Sequence, residues 1–439
     1  MIIEQHYDDE VLIGLLNEAE EDSHVPACDT CAGTLESYRD LSSALNDGAV
    51  WDEREVSESP SPKTTNFLRS FAERTRVEDA AARPIVAKLI ADPALIEQHP
   101  EWRTAAVVRG VLAYVDSINY TDPKRAVDLS KFAAEVGDSI IATNYADGVV
   151  PKLRATAWRE YGWALYFVGS FRESLDALDR AEECIKTAKL ADVDRAEILL
   201  VRARAYRDME KLRDAATLAQ NSAKVFQAYG NQRRTAVAEA IQTSILMQLG
   251  RYAEALQIDL RMAADSALDA ETRACAISRS AFSLRELGRF DEAKRRFAEA
   301  IAEFERLNLA EKRSMARWGL ARVHLAEGKN VVAALAALQE LKAEFTELGM
   351  AHDLALVSLD AAEAFIVLKR SAEVAELCRE VIEYFRSAGL EYSAPAMTAL
   401  SYLRETADAN RLTRDAVRNV RTYFELLPKQ PHLLFAFPL

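Results

Sequence analysis

The sequence predicts an all-α protein made of stacked helix pairs, and three observations lead to this fold class. The chain has 439 residues but only 15 Gly and 12 Pro, so few residues interrupt helices. Hydrophobic residues make up 49% and charged residues 28%, which is sufficient for a buried core in a soluble protein. A short turn also recurs about every 40 residues, as expected for a repeat array.

The recurring turn sets the register of the array. Its first residues are Gly169, Glu210, Gly250, Gly288, Gly328 and Lys369. Small residues recur seven positions before the turn, at Gly162, Ala203, Thr243, Ala281, Ala321 and Ala362, and five positions after it, at Ser174, Ala215, Ala255, Ala293, Ala333 and Val374. Small side chains let two antiparallel helices approach closely. Because one pair cannot bury its apolar stripe alone, we expect the pairs to stack.

This pattern resembles the tetratricopeptide repeat (TPR) family. Trp158-x2-Tyr161-Gly162 fits the start of the family unit, and its later positions fit Ala281, Phe290, Ala293, Phe297 and Ala300. The interval is longer than the usual unit of about 34 residues, which suggests longer helices. The resemblance implies a TPR-like α-solenoid over residues 65–427, with Glu101–Gly137 as a degenerate first pair and Ala394–Leu427 as a capping pair. Such longer units look like those in the sensor domains of some bacterial transcription regulators.

A second pattern, His24-x3-Cys28-x2-Cys31, lies in a short N-terminal module at residues 1–46. Imidazole and thiolates at this spacing can converge on one Zn²⁺ ion. His6 is the best upstream candidate for a fourth ligand, ahead of Asp8 and Asp9. The site would be structural, because no open coordination position is implied. The alternatives are a pair of small buried thiols or a redox dithiol, although the βαβ context of a thioredoxin-like dithiol is missing.

The surroundings of this motif resemble the zinc-binding anti-sigma domain of bacteria. The resemblance covers His6 to Asn17, a short amphipathic segment, followed by His24 to Cys31 and a further helix. The stretch between His6 and His24 is shorter than is usual in that family. The resemblance implies a module that holds an extracytoplasmic-function sigma factor inactive by packing on it.

The rest of the chain is expected to connect and cover these two parts. Residues 47–64, which contain Pro60 and Pro62, are expected to form a linker. Residues 428–439 form an apolar tail that we expect to fold back onto the last helices or to dock on a partner. Three further cysteines and most tryptophans are expected to pack in the helical core: Cys184, Cys275, Cys378, Trp102, Trp158, Trp163 and Trp318.

Composition narrows the function classes. The net charge of −14 argues against a large nucleic-acid surface. We find no basic signal sequence and no run of about 18 apolar residues that could span a membrane. Five unevenly spaced cysteines indicate a reducing compartment, so a cytoplasmic location is expected.

We expect no enzyme activity, because no phosphate loop, nucleophile elbow or catalytic zinc motif is present. The sequence therefore predicts a regulator that binds proteins or peptides, in which the zinc module contacts a sigma factor or similar partner. The alternative is a general TPR scaffold with a purely structural zinc. Arginines within the repeats could line a groove for an acidic peptide or could belong to solvated helix faces: Arg202, Arg204, Arg207, Arg279, Arg285, Arg317 and Arg322.

Overall fold

The structure is a computed structural model that describes residues 24–25, 28, 31–36, 38–39, 62–145, 148–186, 188–389, 393–427 and 433–436. Within these ranges the regular elements are all helical, which confirms the predicted fold class. Residues 31–36 form a short helical segment. No helix in the described part of the chain combines the length and apolar character that a membrane crossing requires.

The longer helices follow one another through the rest of the described chain. They are α1 (Pro62–Ala91), α2 (Ala105–Ile118), α3 (Pro123–Ser139), α4 (Val149–Phe167), α5 (Phe171–Cys184), α6 (Asp192–Asp208), α7 (Leu212–Ala228), α8 (Gln232–Gln248), α9 (Tyr252–Ala264), α10 (Ala270–Glu286), α11 (Phe290–Arg306), α12 (Ala310–Glu327), α13 (Val331–Glu347), α14 (Ala351–Val367), α15 (Ala372–Ala388), α16 (Ser393–Asp408) and α17 (Arg414–Leu426). Because α1 begins at Pro62, the last residues of the expected linker are helical.

The chain divides into two compact units. The first consists of Met1–Val168 with Asp176–Ala191, and the second of Gly169–Leu175 with Asp192–Leu439. In the first unit, polar side chains reinforce the helix packing. The guanidinium of Arg154 on α4 donates hydrogen bonds to the carbonyl oxygens of Gly137, Asp138 and Ile140 at 3.0, 3.1 and 2.8 Å. These bonds satisfy carbonyls that the end of α3 would otherwise leave open.

The second unit explains the interval of about 40 residues. Helices α6 and α7 each contain 17 residues, and three-residue connections follow both. The longer unit therefore comes from helix length, as the sequence pattern suggested. The first residue of every predicted turn has a left-handed φ, between 58° at Lys369 and 77° at Gly169. A backbone of this kind ends one helix and lets the next begin antiparallel to it.

The small residues predicted to face neighbouring helices are buried, with one exception. Ala203, Ala281 and Ala293 are fully buried, as the close approach of the helices requires. Ala333 is instead exposed, so its assignment to this column was wrong, and Ala334 takes the buried position with 1% exposure. The cause lies in the preceding turn, where Asn330 also adopts a left-handed φ of 56° and shifts α13 by one residue.

The last helix, α17, packs on α14 as well as on α16. Arg421 of α17 forms an ion pair with the buried carboxylate of Asp360 on α14. Beyond α17, the hydroxyl of Tyr423 donates a 2.6 Å hydrogen bond to the carbonyl oxygen of Leu433. Phe435 is 9% exposed and contacts the ring of Tyr423, with centroids 5.0 Å apart. Residues 433–436 therefore lie against the last helices.

Candidate functional site

The N-terminal motif brings its three predicted metal ligands together. One ligand atom from each of His24, Cys28 and Cys31 lies within 4.8 Å of the others. The Sγ of Cys31 is 3.4 Å from the Nε2 of His24. Local backbone structure creates this geometry, because the amide of Cys28 donates to the carbonyl of Val25 at 3.3 Å and the amide of Ala32 donates to the carbonyl of Cys28 at 2.9 Å.

A small apolar cluster surrounds the two sulfur atoms. Cys31 is 1% exposed and Leu35 is 2% exposed, and Val25 and Cys28 lie in the same buried group. Tyr38 packs against this group from the helical side. Among the described residues this apolar group is small, and small modules with little buried apolar surface commonly rely on a structural metal.

The three side chains fit a tetrahedral metal ion. Bond lengths of about 2.3 Å to sulfur and 2.0–2.1 Å to nitrogen place neighbouring ligands roughly 3.5–3.8 Å apart. The 3.4 Å separation between Cys31 and His24 agrees with this requirement. Soft thiolate ligands with one imidazole favour Zn²⁺ over the harder cations. The group can therefore bind a metal ion. His6, Asp8 and Asp9, the candidates for the fourth ligand, lie outside the described residues.

Most of the arginines proposed to line a groove are paired with carboxylates inside the array. Arg207 pairs with Asp208 at 2.9 Å and Arg279 with Asp259 at 2.7 Å. Arg317 lies 2.6 Å from Glu340 and also pairs with Glu344. Arg202 and Arg204 are half-buried on α6. Arg285 pairs with Glu286, and Arg322 lies 3.7 Å from Asp360. Nη1 of Arg285 has no hydrogen-bond partner among the residues that the structure describes.

These two arginines belong to a group of polar side chains that we call the arginine cluster. Its members are Arg285 and Glu286 on α10, Trp318 and Arg322 on α12, Asp360 on α14 and Arg421 on α17. Asp360 is 5% exposed and accepts a 2.6 Å hydrogen bond from Nε1 of Trp318 on one oxygen and a bond from Arg421 on the other. Arg322 approaches Asp360 only at 3.7 Å.

Sequence reasoning identified Arg285, Arg322 and Trp318 but missed Asp360 and Arg421. Asp360 was detectable in principle, because it is a carboxylate within the apolar run from Leu354 to Phe365. A buried charge in such a run requires a partner. The partner, Arg421, lies 61 residues further along the chain, so no local sequence pattern could predict the pair.

The remaining candidates pack in the helical cores. Cys378 is 2% exposed, and burial raises the pKa of its thiol to about 12, so the thiolate is disfavoured. Cys184 and Cys275 are half-buried, and burial likewise raises the pKa of each thiol. The indole of Trp158 donates to Asp138 at 3.2 Å, and the guanidinium of Arg180 lies 4.4 Å from the Trp158 ring centroid.

Comparison with solved structures finds TPR-like repeat proteins. A Signal Transduction ATPase with Numerous Domains (STAND) protein with a tetratricopeptide repeat sensor, from Pyrococcus horikoshii, matches with a TM-score of 0.50 and 13% identity over 80% of this chain and 53% of that chain. A Rap protein complexed with competence and sporulation factor matches with a TM-score of 0.49 and 15% identity over 82% of this chain and 99% of that chain. A tetratricopeptide repeat protein from Parabacteroides merdae matches with a TM-score of 0.44 and 14% identity over 72% of this chain and 98% of that chain.

The fold is therefore a TPR-like array of helix pairs, as the repeat pattern predicted. No protein-family model matches the sequence, and no curated protein is detectably similar to it in sequence.

Proposed function

We propose that this protein is a cytoplasmic, protein-binding regulator in which a zinc-stabilised N-terminal module contacts a sigma factor or a similar protein. In this proposal, residues 1–46 form the module, 47–64 the linker, 65–427 the repeat array and 428–439 the apolar tail. The observation that supports it most is the convergence of His24, Cys28 and Cys31 within 4.8 Å beside a helical segment.

Zinc would have a structural role and not a catalytic one. His24, Cys28 and Cys31 would hold the ion, with His6 proposed as the fourth ligand. Bound zinc would neutralise the two thiolates and fix the backbone between His24 and Cys31. The helical segment that begins at Cys31 would then present one defined surface. A partner recognises such a surface only while the metal keeps it ordered.

Co-expression with an extracytoplasmic-function sigma factor from the same genome tests the proposal. We expect the two proteins to co-purify, and we expect Cys28→Ser and Cys31→Ser to abolish the complex because each removes a zinc ligand. Cys275→Ser is the matched control, since Cys275 is a half-buried thiol on α10. The absence of a complex with the unchanged protein would remove the sigma factor from the proposal.

A second candidate function is that of a general TPR scaffold in which zinc only stabilises the N-terminus. The arginine cluster favours it, because Arg322 offers a partly exposed guanidinium on α12, far along the chain from residues 1–46. A partner bound by the array would still be captured by the Cys28→Ser variant. Capture by the unchanged protein alone would favour the first function.

A further inference from the structure

The last helix, α17, does not take the position of a regular second helix in a pair. The second helices α11, α13 and α15 each pack between the first helix of their own pair and the first helix of the next pair. Helix α17 instead packs more extensively on α14, the first helix of the preceding pair, than on α16, the first helix of its own pair. It therefore covers a part of α14 that lies outside the regular packing of the repeats.

The burial of α14 reflects this additional neighbour. Every residue from Leu354 to Ala362 is buried, whereas buried and partly exposed positions alternate along α12. Leu356 is 7% exposed, but Met315, which precedes its own turn on α12 by the same number of residues, is 40% exposed. Helix α17 thus shields a side of α14 that α12 leaves partly open.

Helix α17 is amphipathic and is joined to the array by a short connection. Val417, Val420 and Phe424 are buried, at the spacing i, i+3 and i+7 that places them on one face of a helix. The hydroxyl of Thr413 caps the helix by accepting a 3.1 Å hydrogen bond from the amide of Ala416. Residues 409–413 connect it to α16. A terminal element of this kind can open while the rest of a repeat array stays folded.

Two ion pairs join α17 to α14. Arg421 pairs with the buried carboxylate of Asp360, and Arg418 lies 3.7 Å from Glu363. Arg421 also lies 3.2 Å from Glu425 on its own helix. Asp360 and Glu363 therefore present two carboxylates to a helix that brings two arginines.

Arg322 on α12 is placed to pair with Asp360 when α17 leaves. Its guanidinium is 3.7 Å from this carboxylate, whose oxygens already accept hydrogen bonds from Trp318 and Arg421. Burial, followed by the positive charge of Arg285, lowers the pKa of Arg322 to about 10; Asp360 opposes this change and Arg421 adds to it. Departure of Arg421 would remove a like charge from Arg322 and free one oxygen of Asp360. The buried carboxylate would then keep a partner, which lowers the cost of releasing α17.

We propose that the side of α14 that carries Leu356, Asp360 and Glu363 is a docking surface for a basic amphipathic helix of a partner protein, and that α17 occupies it until such a helix displaces it. The present occupant defines the chemistry of the partner. The partner helix would carry an apolar stripe and two arginines that replace Arg418 and Arg421. Charge complementarity favours a basic helix, because the surface contributes two carboxylates.

A synthetic peptide of residues 411–427, added to the full-length protein, tests this surface. The peptide has four arginines and two acidic residues, so it represents the proposed class of partner. We expect fluorescence anisotropy to show only weak binding to the unchanged protein, because its own α17 competes. Arg421→Gln in the protein weakens that competitor, so the peptide should bind this variant about tenfold more tightly. An Arg421→Gln version of the peptide should lose about tenfold in affinity for the same variant.

Two further variants of the protein make the peptide experiment specific. Arg414→Gln is the matched control, because Arg414 is an exposed arginine on the same helix, and it should change the affinity by less than about twofold. Arg418→Gln guards against a folding defect in Arg421→Gln, because the side chain of Arg418 is 61% exposed. It should tighten peptide binding by roughly threefold. Circular dichroism of each variant shows whether the helices are retained.

Hydrogen exchange of the full-length protein, followed by mass spectrometry, measures how readily α17 opens. Arg421→Gln should speed exchange of the α17 amides about tenfold and leave those of α11 unchanged. Arg322→Gln should slow exchange in α17, because the open state loses the replacement partner of Asp360. Unchanged or faster exchange in Arg322→Gln would contradict this role of Arg322.

The docking surface would be refuted if the α17 amides exchanged no faster than those of α11 in every variant, or if the peptide bound the unchanged protein and all variants equally. A dimer of the Arg421→Gln protein in light scattering, without peptide binding, would show that α17 of a second copy takes the surface, and would overturn the assignment to a partner protein. Residues 1–46 take no part in this exchange of helices. Its failure therefore leaves the outcome of the Cys28 and Cys31 variants unaffected.

Discussion

A single methyl group added at Gly319 tests how tightly the repeat helices pack. Gly319 lies in the interior of α12, where alanine would normally be the better helix former. A Cβ atom at this position would overlap Cε1 and Cζ of Phe297 on α11 and would lie 3.2 Å from its Cδ1. Phe297 is 3% exposed and is enclosed by the buried residues Ala293 and Ala300, so its ring has little room to move.

Two opposing effects determine how much Gly319→Ala changes the free energy of unfolding. Replacing glycine by alanine in a helix interior stabilises a protein by about 1 kcal/mol. Forcing one extra carbon into a packed core costs roughly 1–3 kcal/mol. Gly137 on α3 is the matched control, because a Cβ there meets its nearest neighbour, the Cβ of Ala157, at 3.9 Å. We therefore expect Gly137→Ala to stabilise the protein and Gly319→Ala to destabilise it, with a difference of about 1–3 kcal/mol.

Urea unfolding monitored by circular dichroism measures both changes, and a double-mutant cycle isolates the contact. Phe297→Leu removes the two ring atoms that the new Cβ would overlap. In that background, Gly319→Ala should become stabilising by about 1 kcal/mol, because only the helix propensity remains. If Gly319→Ala stabilised the unchanged protein as much as Gly137→Ala does, the close contact between α11 and α12 would be refuted.

Three further predictions concern a turn, a buried carboxylate and the metal. Glu210→Gly and Lys369→Gly should each raise the free energy of unfolding by about 1 kcal/mol in urea titrations, because both residues hold left-handed φ angles of 61° and 58° that glycine adopts without strain. Burial raises the pKa of the Asp259 carboxyl group to about 6 in the folded protein. The folded state therefore binds this proton more tightly than the unfolded state does, and the free energy of unfolding falls as pH rises from 4 through 6. Asp259→Asn should therefore gain up to about 3 kcal/mol on the unchanged protein between pH 4 and pH 7, and a difference that does not vary with pH would contradict this. Elemental analysis should find one zinc ion per purified chain, which Cys31→Ser removes and Cys378→Ser retains.

The fold was predictable because its determinants are local and repeated. Each unit has its own turn and its own small residues, so the repeat interval of about 40 residues is detectable in the amino-acid sequence. The one error, at Ala333, arose because Asn330 adopts a left-handed backbone and displaces α13 by one residue. Asparagine adopts this conformation readily, but sequence spacing cannot show when it does so.

The convergence of His24, Cys28 and Cys31 was predictable for the same reason. His24, Cys28 and Cys31 span eight positions, so their spacing already limits the distances between their side chains. Short loops leave few conformations, and a ligand set within one loop is therefore readable from sequence. A fourth ligand would have to come from outside this loop, and His6 remains a prediction.

The arginine cluster marks the limit of such reasoning. Arg285 and Arg322 were recognised as repeat arginines, but so were Arg207 and Arg279, which the structure pairs with Asp208 and Asp259. Arg285 also has a carboxylate partner, Glu286, whereas Arg322 approaches Asp360 only at 3.7 Å because the two oxygens of Asp360 already accept hydrogen bonds from Trp318 and Arg421. Sequence spacing could not show this arrangement, because Arg421 lies 61 residues from Asp360. Arg322 is placed to replace Arg421 as the partner of this buried carboxylate. In Arg421→Gln we expect the free energy of unfolding to fall, and adding Arg322→Gln should lower it by more than the sum of the two single changes, because Asp360 then loses both guanidinium partners. Additive changes in urea unfolding would contradict this coupling.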